Sequence, residues 1–129
     1  CIAACPYSAR VFNWKEPRDA EKYEGVTYNI EANVPQKKGT ISKCLFSADR
    51  LREGQLPSCV SACPNGVYWF GDKNEDAVTN GTTKETVSFS KLVKEEAAYT
   101  LMKELGTRPR VYYLPPKNQV ANPIEGDHI

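Results

Sequence analysis

The sequence predicts an α+β chain of cysteine-bearing loops and short strands, with one C-terminal helix and an extended tail. Three observations predict it. Nine Pro and eight Gly in 129 residues favour turns and loops over long regular elements. Two short runs, Ala9–Trp14 and Val67–Phe70, are rich in aromatic and β-branched residues, and each follows a cysteine pair. The window Lys91–Leu105 repeats apolar residues at helical spacing.

The elements follow in order. Residues 1–14 form a first cysteine-bearing segment, from which Ala9–Trp14 leaves as a strand. Residues 15–39 are polar and broken by Pro17, Gly25, Pro35 and Gly39, which predicts an excursion loop with a short strand at Val26–Ile30. Residues 40–70 form a second cysteine-bearing segment ending in the strand Val67–Phe70, which Gly71-Asp72 breaks. Asn80-Gly81 is a turn dipeptide. Asn80-Gly81-Thr82 also fits a glycosylation sequon, but short sequons recur by chance and the turn is the preferred reading. Ser90 is the expected N-cap of the helix, and Leu92, Val93, Ala97, Leu101 and Leu105 its apolar face. Gly106 stops it, with Pro109 just beyond. Val111–Leu114 is a short strand, and Pro115-Pro116 opens the tail. The expected division is a cysteine-bearing domain at 1–72, a helix-and-strand extension at 73–116 and a tail at 117–129.

Composition excludes several roles. A net charge of +1 gives no electrostatic reason to expect a nucleic-acid partner. No apolar run reaches the length of a membrane span, so membrane association would come through a partner. The chain opens on Cys1, without an initiator Met and inside a motif, which predicts a fragment of a longer polypeptide. There is no nucleophile–base pair and no phosphate-binding glycine loop to suggest bond chemistry.

The five cysteines carry the chemistry. An odd number leaves one thiol over in any disulfide scheme. Zinc sites favour close Cys pairs, often with His, but His128 stands alone in the tail. The pattern is instead Cys1-Ile2-Ala3-Ala4-Cys5-Pro6 and Cys59-Val60-Ser61-Ala62-Cys63-Pro64, with Cys44 upstream of the second copy. C-x-x-x-C-P ends the cysteine run of bacterial ferredoxins, in which the last Cys ligates the other cluster. Twice in one chain, it predicts iron–sulfur clusters bound by Cys1, Cys5, Cys44, Cys59 and Cys63. Close spacing lets one tight loop supply adjacent thiolates, with backbone N–H groups turned toward sulfur. The following proline fixes φ and turns the chain away.

Ser47 breaks the pattern. It sits where a C-x-x-C pair from Cys44 would place its second thiolate. A serine hydroxyl deprotonates far less readily than a thiol, so it is a poor ligand at neutral pH. Either the site holds a [3Fe–4S] cluster, or it keeps four irons with serinate, water or another group on one of them.

The segment Lys43-Cys44-x-Phe46-x-x-Asp49-Arg50-Leu51-x-x-Gly54-x-x-Pro57-x-Cys59-Val60-x-x-Cys63-Pro64, followed by Phe70-Gly71-Asp72, resembles the last cysteine motif of a known family. That family is the ferredoxin-like iron–sulfur subunits of molybdopterin oxidoreductases, of the polysulfide, dimethyl sulfoxide and tetrathionate reductase and alternative complex III type. Cys1 to Arg10 is similar to the end of its preceding motif, and Leu105-Gly106-Thr107-Arg108-Pro109 with Val111–Leu114 to its C-terminal segment. The loop at 15–38 and the tail fall outside the likeness. The resemblance implies [4Fe–4S] clusters, one of them a candidate [3Fe–4S]. It implies a molybdopterin catalytic partner, a membrane quinone-binding partner and a place on the extracytoplasmic face of the cytoplasmic membrane. It also implies nested ligation across motifs. Cys44 and Cys59 would share one cluster, Cys63 would complete another, and Cys1 and Cys5 would serve clusters of motifs upstream. A simpler pairing puts Cys5, Cys44 and Cys59 on one cluster.

Two rival readings stand beside this electron relay: a soluble two-cluster ferredoxin carrier, and a zinc-stabilised interaction module. The long loop and Pro-rich tail count against a compact carrier. Phe12, Trp14, Tyr68, Trp69 and Phe70 read as core and cluster-shielding residues rather than electron-hopping stations. Lys43, Arg50 and Arg52 read as solvated charges or docking contacts.

Overall fold

The structure, a computed structural model, describes residues 1–29 and 34–116. Ile30, His128 and the expected tail lie outside the described residues. The chain divides into two units, one of Cys1–Phe70 with Asn80–Thr83, the other of Gly71–Thr79 with the chain from Lys84 onward.

In the first unit, β1 (Val11–Phe12) pairs antiparallel with β2 (Ile41–Ser42), Val11 opposite Ser42 and Phe12 opposite Ile41. The predicted strand Ala9–Trp14 is thus cut to two residues. Asn13 explains the cut. Its N–H bonds the Thr40 carbonyl at 2.9 Å, and its carbonyl accepts from Gly39 N–H at 2.8 Å. Gly39 has φ +83° and turns the partner strand away at once. The Asn13 amide also donates to the Thr40 and Ser42 hydroxyls, each at 2.9 Å. The excursion loop therefore leaves and returns at one hydrogen-bonded point. Inside it lie a 3-10 turn at Ala20–Tyr23 and an isolated bridge, Asn29 to Val34, where the short strand was expected.

Two short helices follow, α1 (Ala48–Arg52) and α2 (Ser58–Ala62). The Arg50 Nε–H donates to the Leu56 carbonyl at 2.8 Å and closes the loop between them. Arg50 is therefore a structural brace rather than a solvated charge. Pro57, fully buried, starts α2, and Val60 is buried within it. Pro suits that position because the first N–H groups of a helix lack intrahelical partners.

A three-stranded sheet follows, of strand order β3-β4-β5: Trp69–Asp72, Ala77–Asn80 and Thr86–Ser88. β4 and β5 are antiparallel, with Val78 opposite Val87 and Val78 buried. The last strand of the cysteine-bearing segment was expected at Val67–Phe70 with a break at Gly71-Asp72; it instead runs through both. A Cβ on Gly71 would lie 1.9 Å from the Ala77 carbonyl oxygen, so glycine permits the close approach that continues the strand.

The C-terminal helix differs from expectation at both ends. α3 spans Phe89–Glu95, not Lys91–Leu105, and Ser88 rather than Ser90 caps it, accepting from the Lys91 N–H at 3.2 Å. Ser90 is held by Asp76, which accepts from both its N–H and its hydroxyl. The helix ends in a Schellman motif. Ala97 N–H bonds the Lys94 carbonyl, Ala98 N–H bonds the Val93 carbonyl, and Ala97 takes φ +50°. Beyond it, Tyr99 and Tyr113 exchange two backbone hydrogen bonds, at 3.0 and 2.8 Å, and their rings stack at 5.7 Å. The expected strand Val111–Leu114 is reduced to that bridge. Leu101 and Leu105 are exposed, so the predicted five-residue apolar face does not form; Gly106, at φ +63°, closes a 3-10 turn over Lys103–Leu105.

Candidate metal centre

The five candidate ligands lie on loops and helix ends of the first unit, all as free thiols. Cys59 lies in the first turn of α2, and Cys63 is its C-cap. Cys44 precedes α1. Phe46 and Ser47 both adopt left-handed backbone, at φ +57° and +52°, and this curl brings the Phe46 N–H to 3.3 Å from the Cys44 sulfur. Non-glycine residues accept that conformation at a cost, which something nearby must offset.

Cys5 shows the same device. Ser8, three residues on, has φ +53°. The Ala9 N–H, then that of Tyr7, bonds the Cys5 sulfur, the Arg10 charge adds to them, and together they hold the thiol below its usual value against a smaller desolvation effect. Successive N–H groups around a left-handed residue form an anion-binding concavity. The thiolate, the form that binds metal, is what these donors favour.

Ser47 is already occupied. Its hydroxyl oxygen accepts from the Ser58 N–H at 3.1 Å and lies 3.4 Å from the Ser58 hydroxyl. This bond seats the Cys44 loop against the start of α2, one residue before Cys59. Lys43 Nζ bonds the Cys44 carbonyl at 2.7 Å and stands 5.7 Å from the Phe46 ring centre, so its charge is held near the loop rather than loose in solvent.

Among the described residues, no three His, Cys, Asp or Glu side chains stand close enough to hold a metal ion between them. The donor chemistry nevertheless fits iron–sulfur clusters: soft thiols, free of disulfides, with N–H groups aimed at sulfur. The predicted aromatic shield is only partly present. Phe46 and Phe70 meet at 5.7 Å, but Trp14 is 75% exposed and Tyr68 51%. Neither Trp14 nor Tyr68 is a core residue. A cleft of about 820 Å³ in the excursion loop, lined by Tyr23, Tyr28, Val34 and Pro35 among others, includes no cysteine in its wall.

Sequence reasoning missed three further residues at this centre. Asn80, Gly81 and Thr82 return to the first unit and grip the stretch from Cys63 to Gly66. The sequon pattern singled them out, but nothing in it shows that Asn80 is only 3% exposed.

No helix among the described residues is long and apolar enough to cross a membrane. Residues 18–73 match the family model of the 4Fe–4S dicluster domain. A selenate reductase subunit of Mesobacillus selenatarsenatis is 36% identical over 88% of this chain and 40% of its own. The menaquinone reductase iron–sulfur cluster-binding subunit of Nitratidesulfovibrio vulgaris is 34% identical, over 88% of this chain and 48% of its own. The Hdr-like menaquinol oxidoreductase iron–sulfur subunit 1 of Archaeoglobus fulgidus is 33% identical, over 88% and 40%. The chain thus spans less than half the length of these relatives. Paired C-x-x-x-C-P loops, free thiols met by backbone N–H groups and these likenesses converge: residues 18–73 match the 4Fe–4S dicluster domain, and the chain is similar over 88% of its length to the iron–sulfur subunits of oxidoreductases.

Proposed function

We propose that the protein relays electrons through iron–sulfur clusters between a molybdopterin catalytic subunit and a membrane quinone-binding subunit, on the extracytoplasmic face of the cytoplasmic membrane. The observation that carries the relay is the turning of backbone N–H groups onto the sulfurs of Cys5 and Cys44. The quinone side is supported by the menaquinone and menaquinol names of two relatives. The clusters supply one-electron transfer when bound. Cys1, Cys5, Cys44, Cys59 and Cys63 bind them. The N–H donors would draw electron density from the sulfurs of a bound cluster, which would favour its reduced state and raise its potential. The protein itself positions and tunes; it breaks no substrate bond.

At the Cys44–Cys59 site we favour [3Fe–4S]. The Ser47 hydroxyl is committed to the Ser58 N–H, which counts against its serving as an iron ligand. The test is metal and sulfide analysis of the full-length subunit, with EPR of its oxidised state. Iron and acid-labile sulfide in near-equal amounts, with a three-iron signal, are expected. Zinc without sulfide would refute the relay. Iron and sulfide without a three-iron signal would refute the Ser47 assignment alone.

A further inference from the structure

Asn80, Gly81 and Thr82 lie well along the chain from the cysteines, yet they close around the turn that carries Cys63. The Thr82 hydroxyl donates to the Cys63 carbonyl at 2.5 Å and accepts from the Gly66 N–H at 3.1 Å. One side chain thereby bridges both ends of the Cys63-Pro64-Asn65-Gly66 turn. The Asn80 amide donates to the Gly66 carbonyl at 2.8 Å. Both backbone polar groups of Gly66, which sits at φ +65°, are therefore held from outside the loop.

The clamp is itself rigid. Asn80 Oδ1 accepts from the N–H groups of Thr82 and Thr83, at 2.9 and 3.1 Å, a short-range closure typical of Asn turns. Gly81 N–H bonds the Tyr68 carbonyl at 3.0 Å. A Cβ on Gly81 would stand 1.9 Å from the Val60 carbonyl oxygen, so only glycine lets the clamp lie flat on α2 beside Cys59. Pro64 has no N–H to stabilise the turn, and Cys63 is only half-buried. Without an outside grip, little in the loop would fix the Cys63 peptide.

We infer that Asn80-Gly81-Thr82 is a positioning clamp, which presets the Cys63 ligand loop for its cluster and shields that cluster from loss. The inference rests on the reading that Cys63 is a cluster ligand. It also gives the sequon a different purpose: the Asn80 amide is buried and bonded on both sides, which closes it to glycosylation in the folded chain.

The test uses the full-length subunit in its complex. Thr82→Val keeps the bulk and removes the bridging hydroxyl; Thr82→Ser keeps the hydroxyl. Two quantities are read: the rate at which an iron chelator bleaches the visible absorbance, and the midpoint potential of each cluster by EPR titration. Thr82→Val is expected to bleach roughly tenfold faster, about the worth of one net hydrogen bond. It should also move the potential of one cluster only, while Thr82→Ser matches wild type. Equal rates and potentials in Val and wild type would overturn the clamp, even with a lowered melting temperature. So would a Ser variant as fast as Val. A wild-type subunit lacking iron and sulfide would overturn the cluster reading and the clamp together.

Discussion

At Ser47, a single oxygen is proposed to decide the character of a site. The hydroxyl lies where the spacing from Cys44 calls for a thiolate, and it spends its acceptor capacity on the Ser58 N–H. Ser47→Cys restores a soft ligand at that position without changing side-chain size much. In the full-length subunit this substitution should abolish the oxidised three-iron EPR signal and add about one iron per protein, since a cubane takes one ligand at each iron. A variant that keeps the three-iron signal would show that Ser47 is not what limits the site. The departure was legible in the sequence because the neighbouring cysteines fix the register. Its bond to Ser58 was not, because that contact spans eleven residues. Asn80 shows the same limit: N-G-T marks a turn, but only the fold shows which loop the turn closes on.

The segment around α3 shows what periodicity can and cannot establish. Leu92, Val93, Ala97, Leu101 and Leu105 repeat at helical spacing, yet the helix stops at Glu95. A backbone closure through Ala97 and Ala98 ends it, and Ala at the left-handed position gives no sequence signal, whereas Gly would. Ala97→Gly should therefore raise stability by about 0.5–1 kcal/mol in denaturant unfolding, by relieving the left-handed strain. A loss of stability would show that the closure does not limit the helix. At the other end, Asp76 organises the cap. The Ser88 hydroxyl, then the Ser90 hydroxyl and N–H, hold its carboxyl below the usual carboxylate value. A carboxyl depressed on folding adds stability that is fully present above its unfolded value, and that stability is lost as pH falls through the folded value. Wild type should then lose stability on acidification below about pH 4. Asp76→Asn should melt lower at neutral pH and lose less on acidification, the two curves converging in acid. Parallel curves would remove Asp76 from the account.

Over the whole molecule, the two C-x-x-x-C-P loops and the two short strands that follow them were readable from spacing and residue type. The interleaving of the units was not: Asn80–Thr83 belong to the cysteine-bearing unit while their neighbours on both sides belong to the other. Local propensity is silent on such a return, because only tertiary contacts define it. Ligand sharing is also a whole-molecule property, and here the geometry groups Cys44 with Cys59 and sets Cys63 apart, which both pairings expected from the sequence share. The Ser47–Ser58 bond seats the Cys44 loop at the start of α2, beside Cys59, whereas Cys63 leaves from the far end of that helix and is gripped by Thr82. Cys44 and Cys59 should then serve one cluster and Cys63 another. In the full-length subunit, Cys44→Ser and Cys59→Ser should each erase the same EPR signal, the three-iron one if the Ser47 assignment holds. Cys63→Ser should leave that signal and remove a different one. Cys5→Ser separates this scheme from the simpler pairing: under nesting it spares the Cys44–Cys59 signal, whereas a cluster shared by Cys5, Cys44 and Cys59 would lose it. If Cys63→Ser instead erased the same signal as Cys59→Ser, α2 would present both thiols to one cluster and the nested scheme would fail.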